Sequence, residues 1–102
     1  MIPLVDERRK QIVEVCRRRR VRRLDLFGSA VGGGYDPESS DLDFLVEFLP
    51  LQRGEHAEAY FGLMEDLQAL FGRSVDLVVE RAITNPYFRQ AVDETRETVY
   101  AA

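Results

Sequence analysis

The chain has 102 residues, of which 45% are hydrophobic and 31% charged, which is enough for one small core and predicts a single domain over residues 1–102. Its apolar runs are shorter than the roughly 20 residues that span a membrane, and the N-terminus lacks the charge order of a signal peptide. The lone cysteine, Cys16, excludes an internal disulfide and a cysteine-rich zinc site. We therefore expect a cytoplasmic protein that does not associate with a membrane.

The net charge of −4 is distributed unevenly along the chain. Residues 1–23 carry nine basic and three acidic side chains, whereas the rest of the chain carries five and fifteen. The basic run Arg17–Arg23 could contact a nucleic acid or an acidic partner, but a helix dipole also favours arginines at a solvated helix end. Because the run is short and the remaining chain is acidic, we do not expect direct nucleic-acid binding.

The first half of the chain is predicted to contain one helix and two strands. Apolar residues at helical spacing, Ile12, Val15 and Cys16, indicate the helix. Two short apolar runs indicate strands, and the segment between them is too rich in glycine for a long helix. The predicted bounds are helix 6–20, strand 23–27, loop 28–40 and strand 41–48.

The second half is predicted to contain a long helix, a third strand and a last helix. Gly72 is typical of a helix end, and Asn85 followed by Pro86 is typical of a helix start. The predicted bounds are helix 54–71, strand 74–80 and a last helix from Pro86 to about residue 98. This order predicts an α/β (α+β) fold, in which a small mixed β-sheet has helices packed on one face.

Two aspartates stand two positions apart on the second predicted strand. Side chains alternate along a strand, so Asp41 and Asp43 point away from the apolar face. Asp76 occupies the same kind of position on the third strand and would join them if the strands are neighbours. Clustered carboxylates repel one another unless a cation lies between them, and Mg²⁺ prefers such oxygen ligands. The alternative is a solvated sheet face on which these carboxylates pair with arginine.

A Gly-Ser turn follows the first predicted strand directly. Gly28 and Ser29 would provide backbone N–H groups and a hydroxyl close to the carboxylates, which suits phosphate binding. The turn and the three aspartates together indicate a site for a metal-bound nucleoside triphosphate.

This pattern of Gly28-Ser29, a spacer, Asp41-x-Asp43 and a later strand bearing Asp76 resembles the DNA polymerase β-type nucleotidyltransferase superfamily. The resemblance is closest to its smallest members, the minimal nucleotidyltransferase (MNT) domains, and implies their fold. Residues 74–80 and 85–89 look like the corresponding segments of the MNT antitoxins that are paired with HEPN proteins.

The resemblance implies a role for each residue of the pattern. Gly28 and Ser29 would hold the triphosphate of ATP, Asp41 and Asp43 would ligate two Mg²⁺ ions, and Asp76 would ligate the metal that activates the attacking hydroxyl. The reaction would move AMP from ATP to a hydroxyl and release pyrophosphate. Since 102 residues leave no room for an acceptor domain, the acceptor would come from a partner or a second copy of the chain. For MNT antitoxins that partner is a HEPN-type toxin, and the acceptor is its tyrosine.

Two departures from the family pattern leave other functions open. The spacer between Ser29 and Asp41 has eleven residues, one more than usual, and residues 30–34 lack the arginine that relatives commonly carry. The first alternative is therefore a catalytically weak or inactive antitoxin that neutralises its partner by binding. The second is a nucleotidyltransferase for a small molecule such as an aminoglycoside, although the missing acceptor domain disfavours it.

Overall fold

The computed structural model describes residues 3–28, 31 and 41–102. Within these residues there are four helices, four strands and one 3-10 turn. The helices are α1 (Pro3–Asp6), α2 (Arg9–Arg18), α3 (Glu55–Phe71) and α4 (Pro86–Thr95). The strands are β1 (Val21–Phe27), β2 (Leu42–Phe48), β3 (Val75–Val79) and β4 (Glu97–Ala101), and the 3-10 turn is Glu80–Ala82.

The four strands form one mixed sheet in the order β3-β2-β1-β4. Strand β1 pairs antiparallel with both β2 and β4, whereas β2 and β3 run parallel. A parallel pair requires a crossover connection, and the long helix α3 provides it. The predicted fold class, a small mixed sheet with packed helices, is confirmed.

The main core lies between the sheet and helices α2 and α3. Phe44 of β2 is fully buried there and stacks on Phe71 of α3, with 5.9 Å between ring centroids. A second, smaller cluster lies on the opposite face, where Val92 of α4 covers Leu45 and Phe27. Helices α2 and α3 thus share one face, as predicted. Helix α4, which was also expected there, packs on the opposite face because Leu45 makes that face locally apolar.

Two predicted helix ends agree with the structure. Gly72 follows α3 with a φ of 63° and donates its N–H to the Gln68 carbonyl. The Asn85 side chain accepts hydrogen bonds from the N–H groups of Tyr87 and Phe88 at the start of α4, and Pro86 is its first residue. These local signals were sufficient because each cap involves residues within four positions of one another.

The last helix is shorter than predicted, and a strand takes its place. Helix α4 ends at Thr95, Arg96 is extended, and β4 pairs with the free edge of β1, with Leu24 opposite Tyr100. Val99 of β4 is buried in the main core. The prediction of a helix to about residue 98 was therefore wrong, because the pairing partner lies some seventy residues away in sequence. The first predicted helix, 6–20, is also shorter in the structure, as α2 (Arg9–Arg18), and the separate short helix α1 precedes it.

None of the helices in the part of the chain that the structure describes is both long and apolar enough to cross a membrane.

A buried carboxylate connects β1 to the C-terminal part of the chain. Asp25 has no exposed surface, and it receives hydrogen bonds from Arg23 Nε at 2.9 Å and from Arg96 Nε at 2.8 Å. Arg96 also binds Glu80 at 2.9 Å and Asp93 at 3.1 Å, and these carboxylates raise the pKa of its guanidinium. Arg96 thereby holds β1, the 3-10 turn, α4 and β4 together.

Replacing Arg96 with methionine should destabilise the fold more than the same change at Arg89. Arg96→Met leaves Asp25 buried with Arg23 alone, and we expect a loss of about 3 kcal/mol in the free energy of unfolding. Arg89 binds Glu80 from a position 35% exposed, so Arg89→Met should cost about 1 kcal/mol or less. Urea denaturation of both variants measures the difference, and equal losses would show that Asp25 does not depend on Arg96.

Candidate active site

The parallel pairing of β2 and β3 places two of the predicted site aspartates side by side. Asp43 and Asp76 are register partners, on the same face of the sheet as Leu45. The pKa of Asp43 is raised to about 6, first by burial, then by a hydrogen bond with Asp76 and by the negative charges of Asp76 and Asp41. Asp41 lies just ahead of β2 and is exposed. The structure therefore brings the three predicted carboxylates into one neighbourhood.

Gly28 lies directly against this carboxylate pair. The residue before it, Phe27, is the register partner of Asp43 across β1 and β2. Gly28 has a φ of +76°, and a Cβ built on it would lie 2.5 Å from Asp43 Oδ2. A side chain at this position would force the Asp43 carboxylate to move, and the positive φ also favours glycine. Ser29, the other predicted residue of this turn, lies outside the described residues, as does the glycine segment 32–34.

The backbone groups of Gly28 are already engaged within the protein. Its N–H donates to Thr95 Oγ1 at 2.9 Å, and its carbonyl accepts from the N–H of Val31 at 3.1 Å. In this arrangement the Gly28 N–H does not point to a ligand, in contrast to the expectation that it would bind phosphate. The contribution of Gly28 is its lack of a side chain beside Asp43.

The carboxylate pair fits a hard divalent cation. A cation between the neighbouring side chains of Asp43 and Asp76 would remove the repulsion between their negative charges, which is one cause of the raised pKa of Asp43. Among the residues with described positions, no three carboxylate, histidine or cysteine groups are arranged as a complete metal site. A cation would therefore need further ligands, and Mg²⁺ usually combines one or two carboxylates with phosphate oxygens and water.

The arginines of the basic run bind carboxylates of the same chain. Arg18 and Arg19 both contact Asp66 of α3, and the hydrogen bond from Arg19 lowers the pKa of that carboxyl. The other ion pairs are Arg20 with Glu55, Arg22 with Glu47 and Arg23 with Asp25. Most of the run's positive charge is thus neutralised inside the domain.

A cavity of about 610 Å³ lies at the other end of the sheet from the carboxylates. Its walls include Glu47, Phe48, His56 and Arg81, and they include neither Asp43 nor Asp76. Glu47 is four residues from Asp43 along β2, which corresponds to about 13 Å. The candidate site is therefore the Asp43–Asp76 surface beside Gly28 and not this cavity.

The family of the chain follows from comparison with known proteins. The profile of the nucleotidyltransferase domain family matches residues 8–99. The chain belongs to the nucleotidyltransferase domain family. The family interpretation of the sequence is thereby confirmed, as is the prediction that the chain is an enzyme of the nucleotidyltransferase class.

Individual relatives agree with this assignment. One relative is MJ1379 of Methanocaldococcus jannaschii, which is provisionally named a protein adenylyltransferase. This nucleotidyltransferase is 36% identical to it over 75 residues, which are 74% of this chain and 73% of that protein. A solved structure provisionally described as a minimal nucleotidyltransferase is 32% identical, with a TM-score of 0.63 over 90% of this chain and 89% of that one. A chain from the complex of a tri-AMPylated Shewanella oneidensis HEPN toxin with an MNT antitoxin has a TM-score of 0.64 at 20% identity, covering 96% of this chain and 73% of that one.

Three residues near the site were not singled out from the sequence: Asp25, Thr95 and Arg96. Asp25 did carry a signal, because a charged residue between Leu24 and Leu26 in an apolar strand needs a buried partner. Thr95 and Arg96 had no comparable signal, since both were placed inside the predicted last helix. Their contacts with β1 depend on the turn into β4.

Substituting Gly28 should cost more stability than substituting another glycine of similar backbone conformation. Gly72 has a φ of +63° and no heavy atom within 4 Å of a built Cβ, so Gly72→Ala reports the conformational penalty alone, about 1–2 kcal/mol. Gly28→Ala adds the collision with Asp43, and we expect a further loss of about 1–3 kcal/mol. Urea denaturation compares the two variants, and equal losses would mean that the Asp43 carboxylate moves aside freely.

The raised pKa of Asp43 predicts a pH dependence of stability. The folded state binds the Asp43 proton more tightly than the unfolded chain does, so this group favours folding below its unfolded pKa and loses that contribution as pH rises to about 6. Asp43→Asn removes the titration. The variant should therefore gain stability relative to the parent chain between pH 4 and pH 7.5, as measured by urea denaturation at both values. A difference independent of pH would contradict the assignment.

Proposed function

We propose that this nucleotidyltransferase transfers AMP from Mg²⁺-bound ATP to a tyrosine hydroxyl of a HEPN-type toxin in the cytoplasm, and so acts as an antitoxin. The observation that carries the proposal is the Asp43–Asp76 pair, whose side chains lie next to each other on neighbouring strands with Gly28 directly against Asp43. The family assignment supports nucleotidyl transfer. The adenylyltransferase relative and the AMPylated HEPN toxin complex support a protein as the acceptor.

We propose roles for the site residues from the family resemblance of their sequence pattern. Asp41 and Asp43 would hold two Mg²⁺ ions, with Asp76 as a further ligand, and the ions would neutralise charge on the triphosphate. Ser29 would contact the triphosphate, and Gly28 would allow it to approach the carboxylates. The acceptor oxygen forms a bond to the α-phosphorus as the bond to pyrophosphate breaks, and Asp76 would take up the hydroxyl proton.

Exposed aromatic side chains beside the site support a protein acceptor. Phe88 of α4 packs edge-on against Phe27, the residue before Gly28, with 6.1 Å between ring centroids, yet it remains 39% exposed. Tyr87 next to it is 81% exposed. Aromatic residues are enriched in protein interfaces, so a partner seated on them would place its hydroxyl near the carboxylates.

Intact mass spectrometry tests the transfer. The chain is incubated with ATP, Mg²⁺ and a HEPN-type protein encoded beside it, and the HEPN-type protein should gain mass in whole AMP increments. Asp41→Asn combined with Asp43→Asn should slow this gain by at least roughly 100-fold. Glu58→Gln combined with Glu65→Gln removes the same two charges from the exposed side of α3 and should leave the rate unchanged. Equal rates for both double variants would exclude these aspartates as catalytic residues.

A binding-only antitoxin is the second candidate, and the lack of arginine in residues 30–34 favours it. Under this alternative the HEPN-type protein keeps its mass but forms a stable complex with the chain. The Asp41→Asn/Asp43→Asn variant would then still neutralise the toxin in cells, whereas the transfer mechanism requires that neutralisation be lost.

A further inference from the structure

Thr95 makes a long-range contact with the glycine turn of the site. Its Oγ1 accepts the hydrogen bond from the Gly28 N–H at 2.9 Å, although the two residues are 67 positions apart in sequence. Thr95 is the last residue of α4, and Gly28 follows the last residue of β1. The contact therefore connects the C-terminal end of α4 to the turn that lies against Asp43.

The Thr95 hydroxyl has little freedom to move. It donates its own proton to a carbonyl of the preceding helical turn, Ala91 at 3.3 Å or Val92 at 3.5 Å, which leaves a lone pair for the Gly28 N–H. The next residue, Arg96, is held by Asp25, Glu80 and Asp93. The hydroxyl is thus held by its own hydrogen bond to the helix, and the residue after it is held by three ion pairs.

The position of the turn matters because it is in contact with a candidate metal ligand. Any Cβ at Gly28 would lie 2.5 Å from Asp43 Oδ2, so a displacement of Gly28 changes the space between the turn and that carboxylate. Under the proposed function, the Gly28 turn positions the triphosphate and the Asp43 carboxylate positions the metal ion. A small displacement would separate two groups that must bind one ligand together.

We propose that Thr95 is a positioning residue, whose hydroxyl holds the Gly28 turn at the separation from Asp43 that allows Mg²⁺-ATP to bind. The part of this inference that concerns catalysis rests on the proposed function. The part that concerns Mg²⁺-ATP binding and the Gly28 hydrogen bond can be measured without any acceptor.

The test compares substitutions that keep or remove the hydroxyl. Thr95→Val keeps the shape without the hydroxyl, and Thr95→Ser keeps the hydroxyl. Thr98→Val is the matched control, because Thr98 Oγ1 accepts a hydrogen bond from Arg23 at 3.0 Å, away from Gly28. If Thr95→Val does not fold, Thr95→Ala compared with Thr95→Ser provides the same contrast.

Two direct readouts are expected to change in Thr95→Val. Calorimetry should show the Kd for Mg²⁺-ATP about tenfold higher than in the parent chain, the scale of one lost hydrogen bond, with recovery in Thr95→Ser. Amide hydrogen exchange by NMR should be faster at Gly28 in Thr95→Val. The Gly72 amide, which donates to the Gln68 carbonyl at 2.8 Å, should be unchanged and serves as an internal reference.

The kinetic readout separates positioning from a general loss of structure. In Thr95→Val the KM for ATP should rise about tenfold while the KM for the acceptor protein stays constant. If the parent chain transfers AMP and Thr95→Val has the same Kd and KM for ATP as Thr98→Val, the positioning role is overturned and the proposed function stands. If the parent chain binds Mg²⁺-ATP but transfers no AMP, and Thr95→Val binds Mg²⁺-ATP more weakly, the proposed function is overturned and the positioning role is supported. A parent chain that does not bind Mg²⁺-ATP would overturn both.

Discussion

The C-terminal part of this fold depends on a single buried carboxylate, Asp25. Burying a charge is unfavourable unless it is paired and hydrogen-bonded, and Arg23 and Arg96 provide that pairing by binding the two carboxylate oxygens, Oδ1 and Oδ2. Arg23 belongs to the same strand, whereas Arg96 comes from the junction of α4 and β4. The requirement to neutralise Asp25 therefore favours the arrangement in which α4 lies across the sheet and β4 completes its edge.

The same junction reaches the candidate active site. Thr95 precedes Arg96 and binds Gly28, and Gly28 lies against Asp43, so a chain of direct contacts leads from the buried ion pair to the carboxylates. A site held by regular elements and by buried hydrogen bonds keeps its geometry better than one held by loops alone. The contacts from Arg96 and Thr95 thereby fix the turn that lies beside Asp43.

The uneven distribution of charge along the sequence is explained by ion pairs in the fold. The arginines near the N-terminus meet acidic residues of the later segments, as Arg19 meets Asp66 and Arg22 meets Glu47. The hydrogen bond from Arg19 lowers the pKa of Asp66, which shows that the pairing favours the charged form. The sequence of this arginine run resembles a polyanion-binding segment. In the folded chain its arginines instead connect α2 and the start of β1 to α3 and β2.

The sequence by itself predicted most of the local elements and the residues of the candidate site. Strand alternation placed Asp43 and Asp76 on the face of the sheet opposite the main core, and the caps at Gly72 and Asn85 marked helix ends, because all of these depend on residues a few positions apart. The tertiary structure decided which segments distant in sequence contact each other. Residues 97–101 became a strand and Thr95 met Gly28 because their partners are on β1, some seventy positions away, and no local pattern records which distant backbone edge or buried charge a segment will meet.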